Sequence, residues 1–329
     1  MSGRGFDYVR AADSADAVVL GAQPGAAFLA GGTDLMQLSK AHVQAPGLMV
    51  DISRLPLSMI VAVDSELHLG ALARLSDVAA HPDVARHAPL IVAAVASSAS
   101  GQIRNMATLG GNLLQRTRCV YFRSDDFPCN KRLPGSGCGA LDGENRQSAL
   151  FGASAACVAT HPSDLAVALV TLDADVDILG TAGARRVRLA DVYRLPGDTP
   201  QFDTTLAPDD LVTGVRIGDA ARFAPRSTYL KVRDRAAFEF AVVSVAAALR
   251  LENGVIVEAR LVAGGVAPLP WRLTHSETAL IGRRPGASAF AAAGGLAVTD
   301  ARPLVQNGFK VDLLRRAVIR ALETVGGEA

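Results

Sequence analysis

Neither sign of charge dominates this chain of 329 residues: 33 Lys and Arg face 32 Asp and Glu, for a formal net charge of +1. That excludes a global field drawing it to nucleic acid or to an anionic membrane, so partners must be chosen by local surfaces. Long apolar runs are missing too. The longest, AVVSVAAAL at 241–249, falls far short of the ~18 residues needed to cross a bilayer. With Glu239 and Arg250 bracketing it, it predicts a core strand. The N-terminal stretch carries only a brief apolar run at 17–20 and no twin-arginine pair, so no export signal of its own is expected. Cysteine is scarce. Cys119, Cys129, Cys138 and Cys157 are the only four, and no C-x-x-C occurs. Without a secretory signal, a metal or redox-cofactor site is favoured over two disulfides. There is no H-E-x-x-H and no nucleophile elbow, and the six histidines show no metal-ligand spacing.

What is present is a chain with 50% hydrophobic residues, long enough to fill two or three cores. LMVDI (48–52) and LHLGAL (67–72) predict strands, while 75–80 and 89–98 predict helices, an α/β rhythm. From 99 to 152 the periodicity fails, and Gly, Pro, Asn and Arg accumulate around three of the cysteines. A long irregular segment inside a compact domain is usually functional or disordered. Beyond it, Pro162 and the potential cap Ser163 open a helix, DLAVALVTLDA; ADVDILG and RRVRLAD pair as a hairpin across 181–184; LVTGVRI is a further strand. A boundary is expected at 219–225, dividing residues 1–220 from 221–329. In the second part AVVSVAAALRLE and VIVEARLVAGG flank Asn253-Gly254, a type I′ hairpin signal, and 311–324 has the apolar spacing of an amphipathic helix.

Two segments could carry phosphate chemistry. FLAGGTDLMQL (28–38) sets two glycines between a strand-like and a helix-like run, which lets backbone N–H groups turn toward an anion with no Cβ in the way. Thr33 and Asp34 add side-chain hydrogen bonds. It is not a G-x-G-x-x-G, so a Rossmann argument does not apply. ASGQIRNMATLGGNLLQ (99–115) repeats the device with Gly110-Gly111 between Thr108 and Asn112. Either loop alone reads equally as a plain corner; together they suit the pyrophosphate of a dinucleotide.

The cysteines are separated by nine, eight and eighteen residues. Structural zinc sites favour two tight pairs, whereas iron–sulfur ligands can be scattered through a wrapping loop. Spacing alone leaves zinc, disulfides and unbonded thiols open. Arg116, Arg118, Arg123, Lys131 and Arg132 lie near the ligands in sequence, either offsetting an anionic cluster or forming a solvated loop. Lys231, Arg233 and Arg235 alternate along a probable strand, which would place all three on one face. His161, before Pro162, reads as a local hydrogen-bonding residue rather than a base.

At this point the residues resemble a known family. AGGTDL, ATLGGNLLQ, ATHPSDLAVAL, YLKVRDRAAFEFAVVSVA and GGVAPLPWR are similar, in order, to motifs of the FAD-binding medium subunits of xanthine dehydrogenase and aldehyde oxidoreductase type molybdenum hydroxylases. The segment 115–147 most resembles the periplasmic aldehyde oxidoreductase members with an extra [4Fe–4S] cluster. The resemblance implies an α+β protein: a two-subdomain α/β FAD-binding (PCMH/vanillyl-alcohol-oxidase-like) fold, with the cluster-binding loop at about 115–157, plus a C-terminal α+β domain of the CO-dehydrogenase flavoprotein type.

For FAD it implies a first pyrophosphate loop of Phe28, Leu29, Ala30, Gly31, Gly32, Thr33, Asp34 and Leu35, and a second including Thr108, Gly111, Asn112 and Gln115. It also implies Ala99, Ser100 and Gly101 near the isoalloxazine, Asp164 on the adenosine-ribose or phosphate side, and Lys231 approaching the flavin ring. Cys119, Cys129, Cys138 and Cys157 would ligate the [4Fe–4S] cluster.

The implied reaction belongs to a heterotrimer. A molybdenum cofactor in a large subunit oxidises an aldehyde, and two [2Fe–2S] centres in a small subunit pass electrons to FAD here, with ferredoxin or another external acceptor beyond. No catalytic residue of this chain touches the substrate carbon. Periplasmic location, by export with a signal-bearing partner, is the expectation, and the cytoplasm the alternative. Two rival readings are a stand-alone flavin oxidoreductase and a zinc-stabilised non-enzymatic scaffold.

Overall fold

Three sheets make up the computed structural model, which describes residues 5–327. The first is parallel, with β1 (Asp7–Arg10), β2 (Ala26–Leu29) and β3 (Leu48–Asp51) in the order β1-β3-β2. Parallel neighbours require crossovers, which the helices Ser14–Gly21 and Leu35–Lys40 supply. Asp13 starts the first of these by accepting the Asp16 N–H at 2.8 Å. Val18, Val50 and Ile52 form this unit's core together with Leu72 and Leu211.

The second sheet is antiparallel: β4 (Ile60–Val63), β5 (Glu66–Gly70), β6 (Asp175–Gly180), β7 (Gly183–Arg188) and β8 (Leu211–Gly218), ordered β4-β5-β8-β6-β7. In β6 the pleat buries Val176 and Ile178 and leaves Asp175 and Asp177 partly exposed. The helices Pro89–Ser97 and Asp164–Thr171 fill its inner face, and the second, expected from Pro162 and Ser163, is buried along its whole length. Ser163 caps it, its hydroxyl accepting the Ala166 N–H at 3.0 Å.

The third sheet, β12-β11-β10-β9, consists of β9 (Ser227–Val232), β10 (Val243–Glu252), β11 (Val255–Gly264) and β12 (Trp271–Arg272). The apolar run of β10 is continuous because both of its faces are covered. Ala246 and Ala248 join the main core with Leu169 and Val215, while Val245, Ala247 and Leu249 pack with Leu314 and Val318 of the C-terminal helix Phe309–Gly326. One core therefore runs continuously from the second sheet into the third.

The β10–β11 hairpin turns at Asn253 (φ 51°) and Gly254 (φ 75°), both left-handed as a type I′ turn requires. Gly254→Ala is expected to cost ~1 kcal/mol in urea denaturation, because an added Cβ disfavours that conformation. A Cβ there meets only the movable Arg284 guanidinium, at 3.1 Å.

Candidate functional site

β2 ends at Leu29 and the next helix begins at Leu35. Between them Gly32 adopts φ 69°. Gly31 lies against the second small-residue loop, so close that a Cβ on it would stand 2.0 Å from the Met106 carbonyl oxygen. Among the described residues, the N–H groups of Gly31, Gly32, Thr33, Asp34 and Leu35 donate to no protein acceptor; the first amide to do so is that of Met36, to the Gly32 oxygen at 3.2 Å. Unpaired consecutive amides are the donor set that an anionic phosphate takes up.

The loop borders a trough of three adjoining cavities, of ≈ 230, 360 and 330 Å³. Phe28, Ala30 and the 31–35 loop line the first, whereas Leu29 does not. The second shares Thr33, Asp34, Gly111 and Gln115 with it and reaches Ala99. The third shares Arg118, Asp164 and Phe240 with the second and ends at Cys119. The trough falls in the size range of small-molecule sites, ~300–1,000 Å³, and runs from the free amides of the 31–35 loop past Ala99 to an end lined by Arg118, Asp164 and Phe240. FAD, a diphosphate with a flat ring system at one end, fits this arrangement.

The second loop does not act as its glycines suggested. Its amides are already engaged: Leu109 donates to the Ala73 oxygen at 2.9 Å, Gly110 to the Ala71 oxygen at 2.8 Å, Gly111 to the Thr108 hydroxyl at 3.3 Å, and Asn112 to the Thr108 oxygen at 2.9 Å. Thr108 is a helix cap. This loop contributes side chains to the trough wall, including Asn112 and Gln115, rather than a cradle of N–H groups. Ala99, at φ 46°, lines the second cavity, while Ser100 and Gly101 lie outside the lining.

Asp164 and Lys231 occupy one place, not two ends of a ligand. The Lys231 Nζ donates to Asp164 Oδ2 at 2.8 Å and to the Ser97 oxygen at 3.1 Å, and the Tyr229 hydroxyl donates to Asp164 Oδ1. Only Asp164 of the pair lines the trough, in the second and third cavities and not under the glycine loop; the Lys231 side chain is buried behind it. Burial pushes the Asp164 carboxyl up, against the opposing pull of Lys231 and Tyr229. The expected alternation of three bases fails because β9 ends at Val232. Arg233 bends back to the Ser97 oxygen at 3.1 Å, and Arg235 pairs with Glu239 at 2.7 Å. His161 fits the local role expected: its Nδ1 accepts the Ser163 N–H at 3.3 Å, and burial lowers its pKa to about 4, leaving it neutral.

The four cysteines, all unpaired, surround one small cavity beyond the third. Cys129 and Cys138 are bridged as antiparallel neighbours, and the Asn130 side chain donates to the Ala156 oxygen at 3.1 Å, tying in the strand of chain before Cys157. Burial raises the pKa of Cys119 and pushes that of Cys157 up to about 11. Both are therefore thiols at neutral pH unless a cation sits among them. Among the described residues, no three His, Cys, Asp or Glu side chains converge on one ion's position as they stand. The cavity measures ≈ 10 Å³, about one water's space, so a larger group requires the cysteine side chains to turn.

The neighbouring bases are neither a solvated loop nor free counter-charges. Arg118 and Arg123 pair with Asp34 at 2.5 and 2.8 Å, Arg116 and Lys131 pair with Asp203, and Arg132 donates to the Tyr121 and Phe122 oxygens. No local sequence signal marked Asp203, which lies 72 residues from Lys131.

Two family models cover the chain: the FAD binding domain in molybdopterin dehydrogenase over residues 4–219 and the CO dehydrogenase flavoprotein C-terminal domain over 228–325. The chain is 42% identical to the aldehyde oxidoreductase FAD-binding subunit PaoB of Escherichia coli (strain K12), over 99% of its length and 100% of that protein. It is 27% identical to the glyceraldehyde dehydrogenase medium chain of Sulfolobus acidocaldarius, over 85% of this chain and 82% of that one. Among solved structures, a chain of carbon monoxide dehydrogenase from Hydrogenophaga pseudoflava superposes with a TM-score of 0.77 at 22% identity, covering 99% of this chain and 98% of that one.

Proposed function

The chain belongs to the FAD-binding subunit family of molybdenum hydroxylases, and from that premise we propose that it holds FAD in the trough and a [4Fe–4S] cluster on Cys119, Cys129, Cys138 and Cys157. In this reading it is the electron-exit subunit of a heterotrimeric aldehyde oxidoreductase, beside a large molybdenum-cofactor subunit and a small [2Fe–2S] subunit. The observation that carries the flavin part is the run of five unpaired amides, Gly31 to Leu35, opening onto the trough. Bound FAD supplies a carrier that takes electrons singly and releases them in pairs, and the cluster a one-electron relay.

The residues of this chain bind and position. The 31–35 amides hold the diphosphate. Ala99, Asn112, Gln115 and Asp164 wall the path onward, and Phe238 and Phe240 cover it from the segment between β9 and β10. Exclusion of water there strengthens every polar contact to the cofactor. The cysteine loop supports the cluster reading by its donor set: four unpaired cysteines line one small cavity next to the trough's end at Cys119.

Of the titratable residues that line the trough, His161 is neutral, Asp164 is bound to Lys231 and Glu239 to Arg235. Anaerobic aldehyde is therefore expected to bleach the flavin only in the assembled heterotrimer. Stopped-flow absorbance on the complex and on the isolated chain checks this. Aldehyde oxidation by the isolated chain would favour a stand-alone flavin enzyme.

A further inference from the structure

Every side-chain contact of Asp34 crosses from the flavin loop to the cysteine loop. Oδ2 accepts the Arg116 N–H at 2.8 Å, and Oδ1 accepts from Arg118 and from Arg123, at 2.5 and 2.8 Å. On its own side Arg123 is anchored to the Thr117 oxygen at 2.8 Å and the Arg116 oxygen at 3.0 Å. The Thr117 hydroxyl in turn accepts the Cys119 N–H at 3.3 Å and donates to the Thr160 oxygen at 2.9 Å. The stretch that carries Cys119 is thus folded around an anion supplied by the flavin loop. Leu38, one turn further along the helix Leu35–Lys40, is buried against Phe122 and Cys129. Burial alone would raise the Asp34 carboxyl, but Arg118, Arg123 and the Arg116 N–H outweigh it and hold it below its usual range. The pairs are shielded rather than exposed, with Asp34 15% accessible.

We propose that Asp34 couples the two cofactor loops, so that loading the cysteine site raises the affinity for FAD and FAD binding rigidifies residues 116–123. The proposal rests on the reading above. Asp34 is a positioning residue here: it lines the first two cavities, while its carboxylate oxygens accept from Arg116, Arg118 and Arg123 of the cysteine loop. A loop already ordered by one ligand loses less conformational entropy on taking up the second, and such linkage is reciprocal.

The test uses the full chain. FAD affinity is measured by flavin fluorescence with the cysteine site loaded as purified and after removal of metal by chelator and oxidant. Hydrogen exchange of 116–123 is followed with and without FAD. In the wild type, emptying the site is expected to weaken FAD ~10-fold, within the usual range of coupling between sites, and FAD is expected to slow exchange of 116–123. Asp34→Asn and Arg123→Gln should each abolish both responses, and the double variant should do no more than either alone. Arg123 lies outside the three cavities, so its effect cannot come from lost flavin contact, and Arg123→Lys, which keeps the charge, should restore part of the linkage. Lower stability with the linkage intact in both variants, or equal FAD affinity in loaded and emptied wild type with unchanged exchange, would overturn the proposal. A wild type that purifies without iron overturns the cluster reading instead, and the exchange response to FAD, kept in wild type and lost in Arg123→Gln, then decides the coupling.

Discussion

Gly31→Ala is expected to strip the protein of flavin. The added Cβ would stand 2.0 Å from the Met106 oxygen, 2.9 Å from its carbonyl carbon and 3.2 Å from the Ala107 Cα, all backbone atoms with no rotamer to give way. The 31–35 loop must then move off the 106–107 segment, carrying its free amides away from the position where they face a diphosphate. FAD affinity should fall ~100-fold or more, equivalent to ~2.7 kcal/mol, read as flavin content after gel filtration and by titration. Gly101→Ala is the control: a Cβ there meets nothing within 4 Å, and Gly101 lies outside the trough lining, so flavin should be retained. Stoichiometric flavin in Gly31→Ala would show that the loop is not the cradle.

The second large effect is on stability. Lys231→Met leaves the Asp164 carboxylate buried, 5% exposed, without its cation. Removing one partner of a buried pair costs ~3–5 kcal/mol, because the other charge remains desolvated. Replacing both, Lys231→Met with Asp164→Leu, should recover most of that loss in urea denaturation. A residue of it should stay, since the Tyr229 hydroxyl also loses its acceptor. Equal stability of the single and double variants would mean that the pair is not the electrostatic unit its 2.8 Å contact indicates.

How far these features could be read in advance follows the range of the interactions. Ser163 and the Asn253-Gly254 turn were legible because cap and turn bonds close within a few residues. The glycine loop was legible for the same reason: strand, small residues and helix follow one another at fixed spacing. The alternating pattern of β10, split between two cores, appears in sequence as a plain apolar run. What the sequence hid lies far apart along the chain. The second loop resembles a phosphate cradle in sequence, but its Leu109 and Gly110 amides are taken by Ala73 and Ala71, over thirty residues upstream, and those of Gly111 and Asn112 by the cap Thr108. Asp164 and Lys231 were assigned to different parts of FAD, yet they meet across 67 residues. The arginines beside Cys119 read as counter-charges until Asp34, 82 to 89 residues away, proved to be their partner. The four cysteines, clustered in sequence, line one cavity, whereas the narrowness of the space between them has no sequence signature.

The most direct measurement is an anaerobic absorption spectrum of the purified chain before and after dithionite, with iron, zinc and flavin quantified on the same sample. The expected result is a bleachable flavin band near ~450 nm on a broad iron–sulfur background, with about four irons per FAD. Flavin with zinc, or with no metal, would contradict the cluster and leave the trough as a flavin site; a colourless protein from a cofactor-replete host would contradict both.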